Sequence, residues 1–361
     1  MAWTKVADQL EANTQTRSLC IYGGDIWAGM GTGGLNGGKL YHFTGSAFEK
    51  KAEGYDANSY YITGVQPYDG SIAGLDYNLN RLLNFDTDHW DLLCAQYGSS
   101  MTNSPQLILF GGVPFTIGYH FTTLSYFLRY DGIGNWSNRG NTGAGVTLYC
   151  LKEHGATIWT AGSNGKLYQW NGIGTLTLKA SYGSDAIWDL CSHDGGLYGG
   201  VGIGSGKLLL FDNVSAWDVA AVQYESELIR CLLSASDGNM YAGTSGHGYL
   251  LRFNGSGWDL ACGQYDVGTT TILCLIENDG CIYAGTDEGT LLRFPISKLM
   301  INRSSAWKGA TAKLDISANW KVTGLKVAKG GNKLIGDAHD LIGDVTDTIA
   351  EYGGSHWKDI I

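Results

Sequence analysis

Two phrases of fourteen residues constrain this chain more than any other feature. Residues 281–294 read CIYAGTDEGTLLRF and residues 240–253 read MYAGTSGHGYLLRF. Each is a run of apolar and small residues, a glycine-containing turn and a second apolar run ending in Arg-Phe. That is the pattern of strand, turn, strand. Weaker copies recur along most of the chain, so one unit of local structure is being reused.

The copies align on an apolar or aromatic anchor followed by small residues, at Trp27, Ile72, Phe115, Trp159, Tyr198, Tyr241 and Tyr283. The spacings are 45, 43, 44, 39, 43 and 42 residues. A period in the low forties with four short strands per unit is the signature of a β-propeller blade. The expected fold is therefore all-β: a seven-bladed β-propeller over residues 1–295, with a small C-terminal extension over 296–361. The unit beginning at Leu228 shows the four strands most plainly, as LIRCLLSAS, NMYAG, YLLRF and GWDLACGQY. Asp69-Gly70, Asp194-Gly195, Asp237-Gly238 and Asp279-Gly280 are expected as two-residue hairpin turns between strands one and two, because Asp and Gly reach positive φ cheaply. Asp131-Gly132, Asn171-Gly172 and Asn254-Gly255 mark the turns between strands three and four.

Cys20, Cys150, Cys191, Cys231 and Cys274 fall at comparable places in strand one of five units, and Cys94 and Cys262 match in strand four. Equivalent positions in different blades are too far apart for disulfides. These cysteines read as reduced, small apolar core residues. There is no CxxC and no His/Cys cluster at zinc spacing, so no metal and no cofactor is expected.

In strand four, Trp90, Trp217 and Trp258 are each followed six residues later by Gln96, Gln223 and Gln264, and then by a tyrosine. Trp3 and Gln9 repeat that spacing, whereas the seventh unit stops at Pro295 after strand three. The N-terminal strand is therefore expected to complete the seventh blade and close the ring, which removes two sheet edges. Trp307 is the rival for that place.

The period, the YAGT…LLRF phrase and the strand-four Trp together resemble β-propeller repeat proteins of the WD and BNR types and propeller lectins such as tachylectin. The Trp-Asp pairs at 90–91, 217–218 and 258–259 are similar to WD repeats but lack the preceding Gly-His. SNGKLYQW at 163–170 is similar to a sialidase Asp-box without its aspartate. The resemblance implies a binding module and names no single family.

In the extension, Ile335, Ala338, Ile342, Val345, Ile349 and Tyr352 alternate in steps of three and four. That stripe predicts one short amphipathic helix over 332–352. Two glycines weaken it, so its apolar face needs a partner: either the propeller's own surface, or a second copy or protein partner bound through Ile335, Ile342, Val345, Ile349 and Tyr352.

The chain carries a net charge of −10. Residues 1–295 hold 15 basic against 27 acidic residues. An acidic body lacks the clustered Lys/Arg that nucleic-acid binding needs. No apolar run is long enough to span a bilayer, and the N-terminus has no apolar signal region, which favours a virion or the cytoplasm. The loops joining strands two and three and the crossings between blades share one face. Candidate ligand-binding residues there are Tyr77, His120, His247, Tyr249, Asp287, Glu288, Tyr224 and Tyr265, suited to a glycan or a protein loop; the alternative is that the strand-four tyrosines latch neighbouring blades. Arg81, Arg129, Arg252 and Arg293 share one repeat position and read as structural, while Arg17 and Arg230 start inner strands and face the channel. No catalytic motif is present, and the balance is against an enzyme. The favoured function is a non-enzymatic recognition or scaffold propeller tethered to a larger assembly, such as a bacteriophage tail component or adhesin. The alternatives are a cytoplasmic protein-interaction propeller and a propeller-fold glycan-acting hydrolase or lyase.

Overall fold

The computed structural model describes residues 2–9, 11–32, 37–56, 58–77, 79–97, 101–102, 106–120, 124–265, 270–296, 326–329 and 333–337. Two compact units, Met1–Ile296 and Ser297–Ile361, divide the chain. The first is a seven-bladed β-propeller, six blades of four antiparallel strands and one of five. Each blade is a meander in which strand one lies innermost and strand four outermost. Blade six runs Leu228–Ser234, Met240–Ser245, Leu250–Phe253 and Trp258–Cys262. The additional strand is Met101–Thr102 in blade three, which pairs with the end of Val113–His120.

Blade seven closes the ring as expected. It takes Ile272–Asn278, Cys281–Thr286 and Leu291–Pro295 from one end of the chain and Thr4–Ala7 from the other. Thr4 lies opposite Arg293 and Ala7 opposite Leu291, the register that Asp259 and Cys262 hold against Arg252 and Leu250 in blade six. Trp3 is thereby set beside Phe294, ring centroids 6.0 Å apart. Trp307 lies outside the described residues.

Strand four is bulged at the same step in all seven blades. The residue after the bulge is always small: Ala7, Ala52, Cys94, Gly140, Ala180, Ala221 or Cys262. It faces a large apolar residue of strand three, such as Leu250 opposite Cys262. A bulge increases local twist, and the small side chain lets the twisted outer strand stay packed. All eight cysteines are thiols outside any disulfide, and six are buried.

Asp69-Gly70, Asp194-Gly195 and Asp279-Gly280 hold positive φ at both residues, as type I′ hairpins require. Asp237-Gly238 departs from the expectation. Only Gly238 has positive φ, and the strands end at Ser234 and Met240, with Ala235 N–H bonded to Asn239 C=O at 2.9 Å. The turns after strand three also work differently: Asp131 accepts the Ile133 and Asn135 N–H groups at 2.9 and 3.0 Å through Oδ1. Those bonds hold its carboxyl below the usual carboxylate range.

Two alignments shift by register. Ala73, one residue beyond the anchor Ile72, stands opposite Gln66 as Trp27 stands opposite Cys20. Asn84 occupies the place of Arg129, Arg252 and Arg293, each opposite its blade's anchor, so Arg81 is not the fourth copy. Arg81 instead pairs with Asp56 at 2.5 Å.

In the second unit, Lys326–Lys329 pairs antiparallel with Lys333–Asp337. Residues 333–337, expected to open a helix, are extended, and Ile335 lies on this strand. Beta-branched Ile335 and Gly336 are poor helix formers, and they fall where the hairpin's register skips, between Leu334 opposite Ala328 and Asp337 opposite Lys326. Ile342, Val345, Ile349 and Tyr352 lie outside the described residues. Among the described residues no helix is long and apolar enough to cross a membrane.

Candidate functional site

Strand one of a propeller blade has a free edge toward the channel, and its N–H and C=O groups need partners. One repeat position supplies them. Ser18, Cys150, Asp189, Cys231 and Cys274 occupy the same register, each opposite a glycine or alanine of strand two. Four of them bond to the inner strand of the following blade or the segment leading into it. Ser18 donates to Ile62 C=O (3.4 Å) and accepts Val65 N–H (3.3 Å). Asp189 accepts Leu232 N–H at 2.7 Å. Cys231 and Cys274 donate to Ile272 C=O and Thr16 C=O at 3.7 and 3.5 Å. Cys20 and Cys191 lie two residues further on, opposite Trp27 and Tyr198, so the inner-strand cysteines occupy two positions rather than one.

Burial pushes the Asp189 carboxyl up to about 6, against the Leu232 N–H bond that favours its charge. A folded pKa above the unfolded value means the folded state holds the proton more tightly. The destabilisation is therefore complete above about pH 6 and vanishes as pH falls toward 4. Asp189→Asn keeps an oxygen for Leu232 N–H and removes the buried charge. The variant is expected to be more stable than the parent by about 1–2 kcal/mol at pH 7.5, with the gap closing by pH 4. A gap in the denaturation midpoint that does not change with pH would refute this account.

The residue before each of these positions is a bulge. Register skips Arg17, Tyr149, Trp188, Arg230 and Leu273. The bulge turns their side chains out of the sheet and toward the channel mouth. Arg17, Arg230 and Leu273 line a cavity of about 260 Å³ with Gln15, Ser245, Thr271 and Asp287. The Arg230 guanidinium sits 3.6 Å from the centroid of Trp188. Trp188 stacks on Tyr149, 5.1 Å apart and 8° from parallel. Arg17 sits 4.4 Å from the centroid of Tyr61, whose ring meets Tyr77 edge-on at 5.8 Å. A Cβ at Gly202 would approach Cδ1 of Trp188 to 2.2 Å, so glycine is what leaves the indole its seat.

The expected binding residues divide into separate groups. Asp287 lines the cavity, and Tyr77 lies behind Tyr61, the ring beneath Arg17. Burial raises the Tyr77 phenol, opposed by the charges of Arg17 and Arg230. Asp287 Oδ1 accepts Thr271 N–H at 2.8 Å. Tyr224, His247 and Tyr249 form a second cluster in blades five and six. His247 stacks on Tyr249 at 5.3 Å, Tyr224 meets Tyr249 edge-on at 6.3 Å, and His247 pairs with Glu227, which is buried. Tyr265 packs against the core between blades six and seven, close to Lys5. Glu288 is exposed on its turn. His120 ends strand Val113–His120 opposite Met101; its side chain lies outside the described set. Tyr61, Tyr149 and Trp188 were not singled out from the sequence. The signal for the bulge residues is a triplet shared by five inner strands: a large residue, a small or short one, then leucine. It appears as Arg17-Ser18-Leu19, Tyr149-Cys150-Leu151, Trp188-Asp189-Leu190, Arg230-Cys231-Leu232 and Leu273-Cys274-Leu275.

No described protein family matches the chain by sequence, and no curated protein does. Solved structures do resemble it in shape. The extracellular domain of BT4673 from B. thetaiotaomicron is 15% identical, with a TM-score of 0.63 over 81% of this chain; the chain spans 40% of that domain's length. YCF48 bound to D1 peptide is 16% identical, with a TM-score of 0.63 over 82% of this chain and 98% of YCF48. A catalytically inactive virginiamycin B lyase from Staphylococcus aureus, with quinupristin, is 8% identical, with a TM-score of 0.68 over 82% of this chain and 99% of the lyase. At these identities the likeness establishes the β-propeller fold.

Proposed function

We propose that the protein is a non-enzymatic recognition and scaffold propeller. It holds a protein segment at its channel mouth, and residues 296–361 tether it to a larger assembly such as a virion tail or adhesive device. The observation that carries this reading is the composition of the mouth. Two arginines, each seated on an aromatic ring, face a cavity in which Asp287 is the one carboxylate among the described residues. Glycoside hydrolysis ordinarily uses a pair of carboxylates flanking the bond, and among the described residues this cavity offers no pair. Arginine and aromatic side chains are instead the anchors of protein interfaces. The peptide-bound YCF48 structure supports the same use of a propeller.

The test is light scattering after size exclusion on the full chain and on residues 1–296, with identification of whatever co-purifies. The full chain is expected to self-associate or retain a partner, and the truncation to run as a free monomer. Two monomers with no bound protein would end the tether proposal. Turnover of an aryl glycoside that is lost in Asp287→Asn would end the non-enzymatic one.

A further inference from the structure

We infer that the channel mouth is a binding site for a single carboxylate on a peptide, an acidic side chain or a chain terminus, held between Arg17 and Arg230. The inference deepens the proposed recognition function and rests on it.

The guanidinium groups of Arg17 and Arg230 line the same cavity. Among the described residues no carboxylate lies within ion-pair distance of either, although the chain as a whole carries −10. Arg17 Nε and Gln15 Oε1 are buried without a hydrogen-bond partner. Both are half-buried; two cations that share one cavity repel, and Asp287, which lines it too, offsets only one of them. Arg230 shows the strain: burial first, and then the neighbouring Arg17, pull its pKa down to about 10. It stays charged at neutral pH, so the described lining keeps two cations against the single carboxylate of Asp287.

The Arg17 and Arg230 guanidinium carbons lie over the Tyr61 and Trp188 rings. Neither group has a hydrogen-bond or ion-pair partner among the described residues, so both keep donors for a planar, two-oxygen acceptor, which is the shape of a carboxylate.

Two arginines and Asp287 leave the described lining of the cavity at +1. One monoanion neutralises it, while a dianion such as a phosphate monoester overshoots and meets Asp287. The aromatic rings also argue for peptide over sugar. Arg230 from blade six and Tyr149 from blade four flank Trp188, while Arg17 and Tyr77 contact Tyr61. These rings serve as seats for the arginines rather than as open platforms for a pyranose.

The probe is N-acetyl-glutamate N-methylamide, which carries one carboxylate, titrated against its glutamine twin. The readout is the Trp188 indole N–H resonance of the 15N-labelled full chain, assigned with Trp188→Phe. Saturable displacement at least tenfold tighter for the glutamate compound is expected, weakening with salt. Arg17→Gln and Arg230→Gln are each expected to lose binding by at least tenfold. Arg17→Lys and Arg230→Lys keep the charge without the planar fork and are expected to bind with intermediate affinity, which separates ligand contact from misfolding. Equal affinity for the two compounds, or binding unchanged in both glutamine variants, overturns the site. Glucuronate or N-acetylneuraminate binding in place of the peptide compound overturns it in favour of an acidic glycan, and inorganic phosphate displacing the probe overturns the monoanion assignment. This titration needs neither the tether nor a co-purified partner, so it fails or succeeds separately from the proposed function.

Discussion

Deleting residues 2–8 is expected to abolish cooperative folding of the propeller rather than trim it. The deletion removes strand Thr4–Ala7, the outermost strand of blade seven. Leu291–Pro295 then becomes an open edge of unpaired N–H and C=O groups, a template for intermolecular pairing. Trp3 leaves with it. That ring is 7% exposed and packs in the cluster containing Tyr241, Ile282, Leu292 and Phe294. Its indole N–H is bonded to Gly248 C=O in blade six, 3.4 Å away. Losing one buried Trp costs about 3–5 kcal/mol, within a total domain stability of roughly 5–15 kcal/mol. The strand's ladder and the burial of Ala7 add to that loss. The expected outcome is aggregation, or a monomer without a cooperative thermal transition. Trp3→Ala in the full chain is expected to fold but melt well below the parent. A deletion variant that stays soluble and monomeric with a melting temperature within about 5 °C of the parent would show that the ring does not depend on its closing strand.

How much of this was legible follows from what the blades repeat and what they vary. Blade count and ring closure were legible because both rest on recurring core positions: Tyr241 and Tyr283, the Gly-containing turns, and Trp3 in step with Trp258. Each marks a position that recurs from blade to blade. The cysteines were only half legible, because Cys150 and Cys191 both sit in strand one and both point to small apolar packing. The two-residue offset between them becomes visible once pairing partners are known. The mouth was the least legible part. Arg17 and Arg230 stood out as charges at the start of inner strands, but Tyr149 and Trp188 look like ordinary core aromatics. What turns them outward is a bulge, one extra residue in the ladder, and periodicity alone does not reveal where the skip falls. The expected binding tyrosines failed to converge for a related reason. Residues equivalent by sequence are spread around a ring, so Tyr224 and Tyr265 stand at successive blade junctions, whereas the inner edge brings residues of more than two blades together.

The strand-four tryptophans share a motif but not an environment, and the difference sets the second large effect. Trp217 is 7% exposed. It packs with Trp159, Ala161, Leu167 and Phe211 across the junction of blades four and five, and its N–H is bonded to Gly165 C=O of blade four at 3.1 Å. Trp136 makes the same kind of bond back to Asn80 C=O of blade two at 2.9 Å. Trp258, by contrast, is half-buried and its N–H has no partner. Trp217→Ala therefore opens a cavity between two blades and strands a buried carbonyl, and is expected to cost about 4–5 kcal/mol. Trp258→Ala exposes a surface already partly wet and is expected to cost about 1–2 kcal/mol. Trp217→Phe is expected to fall between them, since it refills part of the volume but offers no donor to Gly165. Urea denaturation of the three variants measures the order directly. Equal losses for Trp217→Ala and Trp258→Ala would mean that the Trp motif contributes through strand pairing within its own blade. The larger loss at Trp217 would place its contribution at the junction, where each blade is stabilised by the one before it and a ring of seven holds together only as a whole.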